Sequence, residues 1–461
     1  MRDVTRVFVR RTVLGALLVA LFAANGAVWN ARVDLTENRL HTVSEASREL
    51  LTGLDHQVRI TYYVSERLRE RYPQPREIVD LLDAYAAASG GRADVEVIDP
   101  ASLDDPASVE EFGVAPQQLQ VSEDGEQRFA LVYSGIVVEY LARSDSIPFV
   151  FSASTVEYDL TTSVSRLATG DSRDLGVLVG DPALTLDRYS FVLTELTRSY
   201  DVREIGPGEP IADAVEAVLV LDTQRLSRDA VAELGDYLDR GGSILVAVER
   251  VEVDVSAGLR PTTVSDAAIH DLLGRYGITV GDGLLLDESH HQIRVEEVSA
   301  EFRVQRSYAY PHWPVTLERY TSPDHPVTAS FAGLDLYWPS WLETAPGAPA
   351  TIVVASTPRA WVMSEPLVLE PQDSSRLGRD AAETTGQYGV VAVAGGDDPA
   401  TARLAVVADA DFLRDELIQA TGSVGNIAFG QDLVEWLSHD EALLAIRTRA
   451  TRDRSLNAIA D

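Results

Sequence analysis

The chain of 461 residues contains no cysteine. Disulfides, thiolate nucleophiles and thiolate metal sites are therefore excluded, and packing alone must hold its domains together. Lysine is absent as well: all 39 basic residues are arginine. That removes the lysine of a P-loop nucleotide hydrolase and the amine on which Schiff-base chemistry depends. Positive charge is scarce against 72 acidic residues, and the net charge of −33 argues against nucleic acid, whose phosphates need a cationic footprint. No GxSxG supplies a serine nucleophile on a strand–helix turn, and no GxGxxG follows a strand to cradle a dinucleotide. These absences imply no cofactor and no enzyme.

What is present begins with Arg2, Arg6, Arg10 and Arg11, followed by an uncharged run over residues 12–30 that includes LGALLVALFAANGAVW. As a helix rising about 1.5 Å per residue, a run of this length matches a hydrocarbon core of roughly 30 Å. Cationic flanks stay on the cytoplasmic side, so the expectation is a single-pass anchor with its N-terminus inside and the bulk extracytoplasmic, in a periplasm. Trp29 suits the far interface. A cleaved signal peptide is the rival, but only Ala24-Asn25-Gly26 approaches its small-residue cleavage pattern.

Beyond the anchor, Ser44 is placed to cap a short helix that buries Leu50 and Leu51 and ends at Gly53. VRITYYV reads as a strand. Pro75 opens a helix with the stripe Ile78, Leu81, Leu82 and Tyr85, Gly90-Gly91 ends it, and ADVEVI is a second strand. Strand–helix–strand predicts a parallel βαβ unit. Strands follow at 118–121, 128–133 and 136–141, the last two joined by Ser134-Gly135 as a hairpin. Ser154 and Glu157 suggest a capping box for a helix carrying Leu160, Val164 and Leu167 inward. Residues 170–173 read as a domain boundary.

From Asp174 the pattern changes to continuous apolar runs, LGVLV and AVLVL, of the kind buried on both faces of a parallel sheet. A helix over 187–200, a Ser227-capped helix with Val231, Leu234 and Leu238, and a strand over 244–248 predict a doubly wound sheet. A further helix carries Ile269, Leu272, Leu273 and Tyr276. Prolines and aromatics then predict a β-rich insertion over about 287–371, and 371–386 reads as a mobile loop. Strands at 388–394 and 403–408 return to the sheet, before a last helix carrying Ile427, Leu433, Trp436 and Leu437.

Four blocks together resemble the gliding-motility-type ABC-transporter auxiliary family (GldG-like): RVDLTENRLHTVSEAS, DLLDAYAAASGGRADVEVIDP, AVLVLDTQRLSRDAVAELGDYLDRGGSILVAV, and VVADADFLRDE with GNIAFGQDLVEWLSHDEALLAIRTR. The resemblance implies a thioredoxin-like α/β domain over 31–170 and a flavodoxin- or glutamine-amidotransferase-like α/β domain over 171–445. A cytoplasmic tip and anchor (1–30) precede them and a tail (446–461) follows. It also implies a non-ATPase accessory subunit whose partners are an ABC permease and a cytoplasmic ATPase. Family members often carry a second membrane helix after an IRTR-like segment, whereas this sequence stops at Asp461. It is either single-pass or lacks a terminal segment, and the permease contact depends on which.

Without cysteine a thioredoxin-like domain is a scaffold and an amidotransferase-like domain lacks its nucleophile. Carboxylates at strand ends remain: Asp181, Asp222, Glu249, Asp409 and Asp411. Open α/β sheets bind ligands at the carboxyl ends of their strands, so these five are the candidate ligand-binding residues, able to hold a cation or a hydroxylated ligand. Short acids at such positions also cap helices and turns. No metal-binding motif is read. In His290-His291, neighbours on a strand point to opposite faces, so at most one joins any site and both read as loop residues. His325 reads as a turn residue. Tyr308, Tyr310, Trp313, Tyr337, Trp338 and Trp341 read as core or interface rather than a carbohydrate platform. The leading expectation is a non-catalytic subunit acting through protein contacts; the alternative is a sugar- or peptide-binding receptor using the strand-end crevice.

Overall fold

The computed structural model describes residues 43–123, 126–170, 173–181, 184–264, 267–298, 303–371, 385–396, 401–440, 443–444 and 446. The anchor expected at 12–30 lies outside them, as does 372–384 of the expected loop. Among the described residues no helix is long and apolar enough to cross a membrane. The chain is a mixed α/β protein.

The N-terminal part contains α1 (Glu45–Thr52), β1 (Val58–Val64), α2 (Glu66–Arg71), α3 (Gln74–Ala88), β2 (Ala93–Ile98), β3 (Gln117–Glu123), β4 (Glu126–Val132), β5 (Ser134–Tyr140), β6 (Arg143–Ile147) and α4 (Ala153–Thr169). Ser44 caps α1 by accepting from the Ser47 amide at 3.1 Å, and Gly53 closes it. The β1–α3–β2 unit is parallel, with Val58 opposite Ala93, and β5 and β6 extend its sheet antiparallel in the order β2-β1-β5-β6. Leu51, Ile78, Leu82 and Tyr85 pack with Leu160 and Val164 of α4 against Ile60 and Val138.

Two local expectations fail here. Ser134-Gly135 is no hairpin turn: β4 pairs back onto β3, while β5 begins at Ser134 and pairs with β1. Gly135 serves close packing, because a Cβ there would lie 2.7 Å from the Pro148 carbonyl oxygen and 2.6 Å from Val114. Glu157 does not close a capping box, since α4 starts at Ala153 behind Ser152. Its carboxylate accepts instead from the Ser44 amide at 2.6 Å and Ser47 Oγ at 2.8 Å, tying α1 to α4.

The larger part is built on β7 (Asp174–Val179), α5 (Ser190–Leu196), β8 (Asp201–Glu204), β9 (Val215–Leu221), α6 (Arg228–Asp239) and β10 (Ser243–Ala247). Next come β11 (Val251–Asp254), β12 (Arg260–Thr263), α7 (Ala268–Arg275), β13 (Ile278–Val280), β14 (Leu284–Leu286), β15 (His290–Val298), β16 (Arg303–Thr316) and β17 (Leu334–Asp335). It ends with β18 (Leu342–Thr344), β19 (Ala350–Ala355), β20 (Ala360–Met363), β21 (Thr385–Gly386), β22 (Gly389–Ala394), β23 (Leu404–Val407), α8 (Asp415–Thr421) and α9 (Val424–Leu437). The helix expected over 187–200 is a 3₁₀ turn, Leu186–Tyr189, running into the shorter α5.

Among the described residues nine strands form the main sheet, in the order β13-β18-β22-β23-β10-β9-β7-β8, with β19 also paired to β22. Strands β8, β7, β9, β10 and β23 are parallel. Numbered by their own sequence they run 2-1-3-4-5, one of the common doubly wound orders. Each face is covered: Leu175, Val177 and Leu219 pack under α5 and α9, while Leu178, Val218 and Val220 pack under α6 and α7. The segment over 287–371, expected as a β-rich insertion in the second domain, divides between the main sheet and smaller sheets. Its strands β18 and β19 pair antiparallel with β22 and widen the main sheet, which buries Val353 and Val354 of ATIVVA in the core. The remaining strands of that segment, β15 to β17 and β20, together with β14 just before it, build an aromatic wall above one end of the sheet.

Candidate functional site

Because β7, β9, β10 and β23 run parallel, their carboxyl ends share one edge. The segments leaving them carry Asp181, Asp222, Glu249, and Asp409 with Asp411. All five are buried. The structure thus brings the sequence-selected acids to one edge, in two tiers.

The inner tier is Glu249, Asp409 and Asp411, each offering a carboxylate oxygen within 4.8 Å of the others. Asp409 accepts from the backbone amides of Tyr337 at 2.6 Å and Asp411 at 2.7 Å, so it does serve the turn as short acids commonly do. Glu249 accepts from Gln224 Nε2 at 2.6 Å through Oε1, while its buried Oε2 has no hydrogen-bond partner among the described residues. In the outer tier, Asp222 accepts from the Tyr189 hydroxyl and pairs with Arg414. Asp181 pairs with Arg225 at 2.8 Å. Arg414 bridges the tiers by also pairing with Asp411 at 2.8 Å. Asp222 turns the chain with φ +50°, a conformation that aspartate tolerates better than most residues.

Burial dominates the acid–base chemistry. It pushes the carboxyls of Glu249 and Asp409 well above the usual range, and the charges of their neighbours, Asp411 foremost, push the same way. Asp411 is raised to about 6 by burial, held down in part by Arg414. Burial disfavours the Arg414 charge, but Asp411 and Asp222 outweigh that and raise its pKa. Burial and then Asp222 raise the Tyr189 phenol, which stays a donor.

A cleft of about 810 Å³ opens onto this edge, with Asp181, Glu249, Asp411 and Arg414 on its floor. Tyr310, Trp313 and Trp338 wall it, and Val253 and Leu259 of the β11–β12 hairpin rim it. Trp313 packs edge-on to Tyr310, Tyr337 and Trp338 with ring centroids 5.3–5.6 Å apart. Tyr310, Tyr337 and Trp338 are buried, as a core reading expects, whereas Trp313 is half-buried with its edge on the cleft. Trp341 packs edge-on to Tyr388, and Tyr308 is half-buried on β16. Neither histidine of the pair lines the cleft: His291 Nε2 meets Asp335 at 2.6 Å, and His290 turns to a neighbouring carbonyl. His325 accepts from the Val327 amide at 3.3 Å, which is a turn role.

Sequence reasoning missed Arg414, Gln224 and Tyr189. A signal existed for Arg414, the one basic residue of VVADADFLRDE, three positions beyond Asp411. Gln224 follows Asp222 by two. Tyr189 had none. The spacing of the acids along the chain also hid that three of them meet around one point.

Comparison with known proteins identifies the chain's kin. A family model described as an ABC-type uncharacterized transport system matches residues 172–435, and with them every acid of the site. The chain belongs to this family. A domain family of unknown function matches residues 37–139. An uncharacterized protein of Borreliella burgdorferi is 22% identical over 362 residues, covering 77% of this chain and 70% of the relative. Among solved structures, the mmIFT52 N-terminal domain aligns with a TM-score of 0.37 at 14% identity, over 57% of this chain and 96% of that one. A ThuA-like protein of Bacteroides uniformis aligns with a TM-score of 0.31 at 10% identity, over 57% and 91%. Similarities this weak carry no functional argument.

Proposed function

We propose that this member of an ABC-type transport family is a membrane-tethered, extracytoplasmic auxiliary subunit that works by protein contact with a permease and a cytoplasmic ATPase, without catalysis of its own. The observation that carries the reading is the family match over residues 172–435. The arginine-flanked apolar run at 12–30 supports the tether and its direction. Lack of lysine and cysteine leaves the energy source to another chain. In this reading residues 31–170 form a thioredoxin-like scaffold, supported by the sheet order β2-β1-β5-β6, and 171–445 a flavodoxin-like unit, supported by the parallel order 2-1-3-4-5. Affinity purification of the tagged full chain from gently solubilised membranes tests it. The expected result is stoichiometric recovery of a polytopic permease and an ATPase; recovery of the chain alone overturns the reading.

A second reading, a receptor for a sugar or peptide, is favoured by one observation, the cleft that sets buried acids against Trp313 and Tyr310. Thermal shift of the full chain against a glycan and peptide library separates the two. Under the receptor reading a ligand stabilises the wild type and not the Asp409→Ala, Asp411→Ala variant; under the first reading that double variant still recovers the permease.

A further inference from the structure

The inner acids are a poor hydrogen-bonding group and a good coordination sphere. Among the described residues, Arg414 is the cation that faces them, and it is already divided between Asp222 and Asp411. Four buried carboxylates therefore stand against one guanidinium. Buried charges persist when paired or bound to a metal, and a lone buried carboxylate oxygen is costly. Glu249 presents such an oxygen: the residue is 2% exposed, Oε1 is held by Gln224, and the buried Oε2 has no hydrogen-bond partner among the described residues.

We infer that Glu249, Asp409 and Asp411 ligate a hard divalent cation of the Ca²⁺, Mn²⁺ or Mg²⁺ class at the floor of the cleft, with its open coordination positions facing the cleft. The donor set is all oxygen, which selects these ions over thiolate- or imidazole-seeking ones. Two oxygens on opposite sides of one Ca²⁺ lie up to about 5 Å apart, so a group within 4.8 Å encloses such an ion without backbone movement. Second contacts fix the ligands' orientation, as metal sites require: two backbone amides hold Asp409, Gln224 holds Glu249, and Arg414 holds Asp411. Glu249 and Asp411 line the cleft whereas Asp409 closes the site from behind, so the ion's free positions and an entry path lie on one side. The site goes beyond the auxiliary-subunit reading and does not depend on it.

The test uses the full chain in detergent, stripped with EDTA and titrated with Mn²⁺, free ion being read by electron paramagnetic resonance and binding by calorimetry. We expect one saturable site per chain, competed by Ca²⁺ or Mg²⁺, and an unfolding midpoint raised by about 5 °C at saturation. Glu249→Gln weakens binding by at least about tenfold. Glu252→Gln, altering a cleft acid that pairs with Arg225 outside the group, leaves it unchanged. No saturable binding by wild type up to about 1 mM, the weak end for extracellular calcium modules, overturns the inference whether or not the variants fold. So does equal affinity of Glu249→Gln and wild type, or equal weakening by Glu252→Gln.

Discussion

Two buried acid clusters, one in each half of the molecule, are satisfied in opposite ways. In the N-terminal half Glu157 accepts from Ser44 and Ser47, Ser47 meets Thr161 at 2.8 Å, and Thr161 meets Tyr85 at 3.1 Å, so one buried carboxylate is absorbed by a chain of neutral partners. In the second half Asp222 and Asp411 share one guanidinium beside the buried Glu249 and Asp409, and an oxygen of Glu249 is left without a hydrogen-bond partner among the described residues. The first arrangement locks helices together and asks nothing of solvent or ligand. The second is complete only with something added.

Removing the counter-charge should break the second half most severely. Arg414→Leu leaves Asp222 and Asp411 buried without their counter-charge and is expected to cost about 3–5 kcal/mol in urea denaturation. Next in size is the response to pH of the metal-free chain. Asp411 titrates near 6 when folded, above the roughly 3.9 of an unfolded aspartate. Between those values the folded chain holds a proton that the unfolded chain has lost, so this carboxyl's contribution to stability is lost as pH rises through 6. Wild type minus Asp411→Asn stability should fall by about 1–3 kcal/mol from pH 4.5 to 7.5 in EDTA, and saturating Mn²⁺ should flatten the trend.

Two matched substitutions sharpen the contrast by their sign. Glu157→Ala takes the acceptor from the part-buried Ser44 amide and one partner from the Ser47 hydroxyl, and should destabilise by about 1–3 kcal/mol. Glu249→Gln removes an opposed charge and should stabilise the EDTA-treated chain at pH 8 by about 1 kcal/mol. The smallest effect concerns His312, buried behind the cleft wall against Tyr310, whose pKa burial lowers to about 4. A depressed base loses its stabilising contribution as pH falls from about 6.5 towards 4. Wild type relative to His312→Phe should therefore weaken by about 1 kcal/mol between pH 7.5 and 5.5 in thermal denaturation.

Much of this was legible in the residues. LGVLV, AVLVL and the Ser227-capped helix state their own structures, since fully apolar runs and capped amphipathic stripes have few other solutions. Parallel order then carries the acids to one edge, so the site followed from the fold class. The antiparallel half was hidden, because ATIVVA and GVVAVA are as apolar as parallel strands and nothing local states which way they run. Gly135 looked like a turn and is a close approach. Glu157 sits where a capping acid would and is claimed by a serine pair 110 and 113 residues away. Tyr189 acts on Asp222 from 33 positions off, a partnership set by packing alone.

Anomalous diffraction from crystals of the full chain grown with Mn²⁺ puts the contrast between the halves to its most direct test. The account predicts one strong peak enclosed by Glu249, Asp409 and Asp411, and none among Ser47, Glu157 and Thr161. Ordered carboxylates with no peak between them, or manganese confined to surface acids, would contradict it.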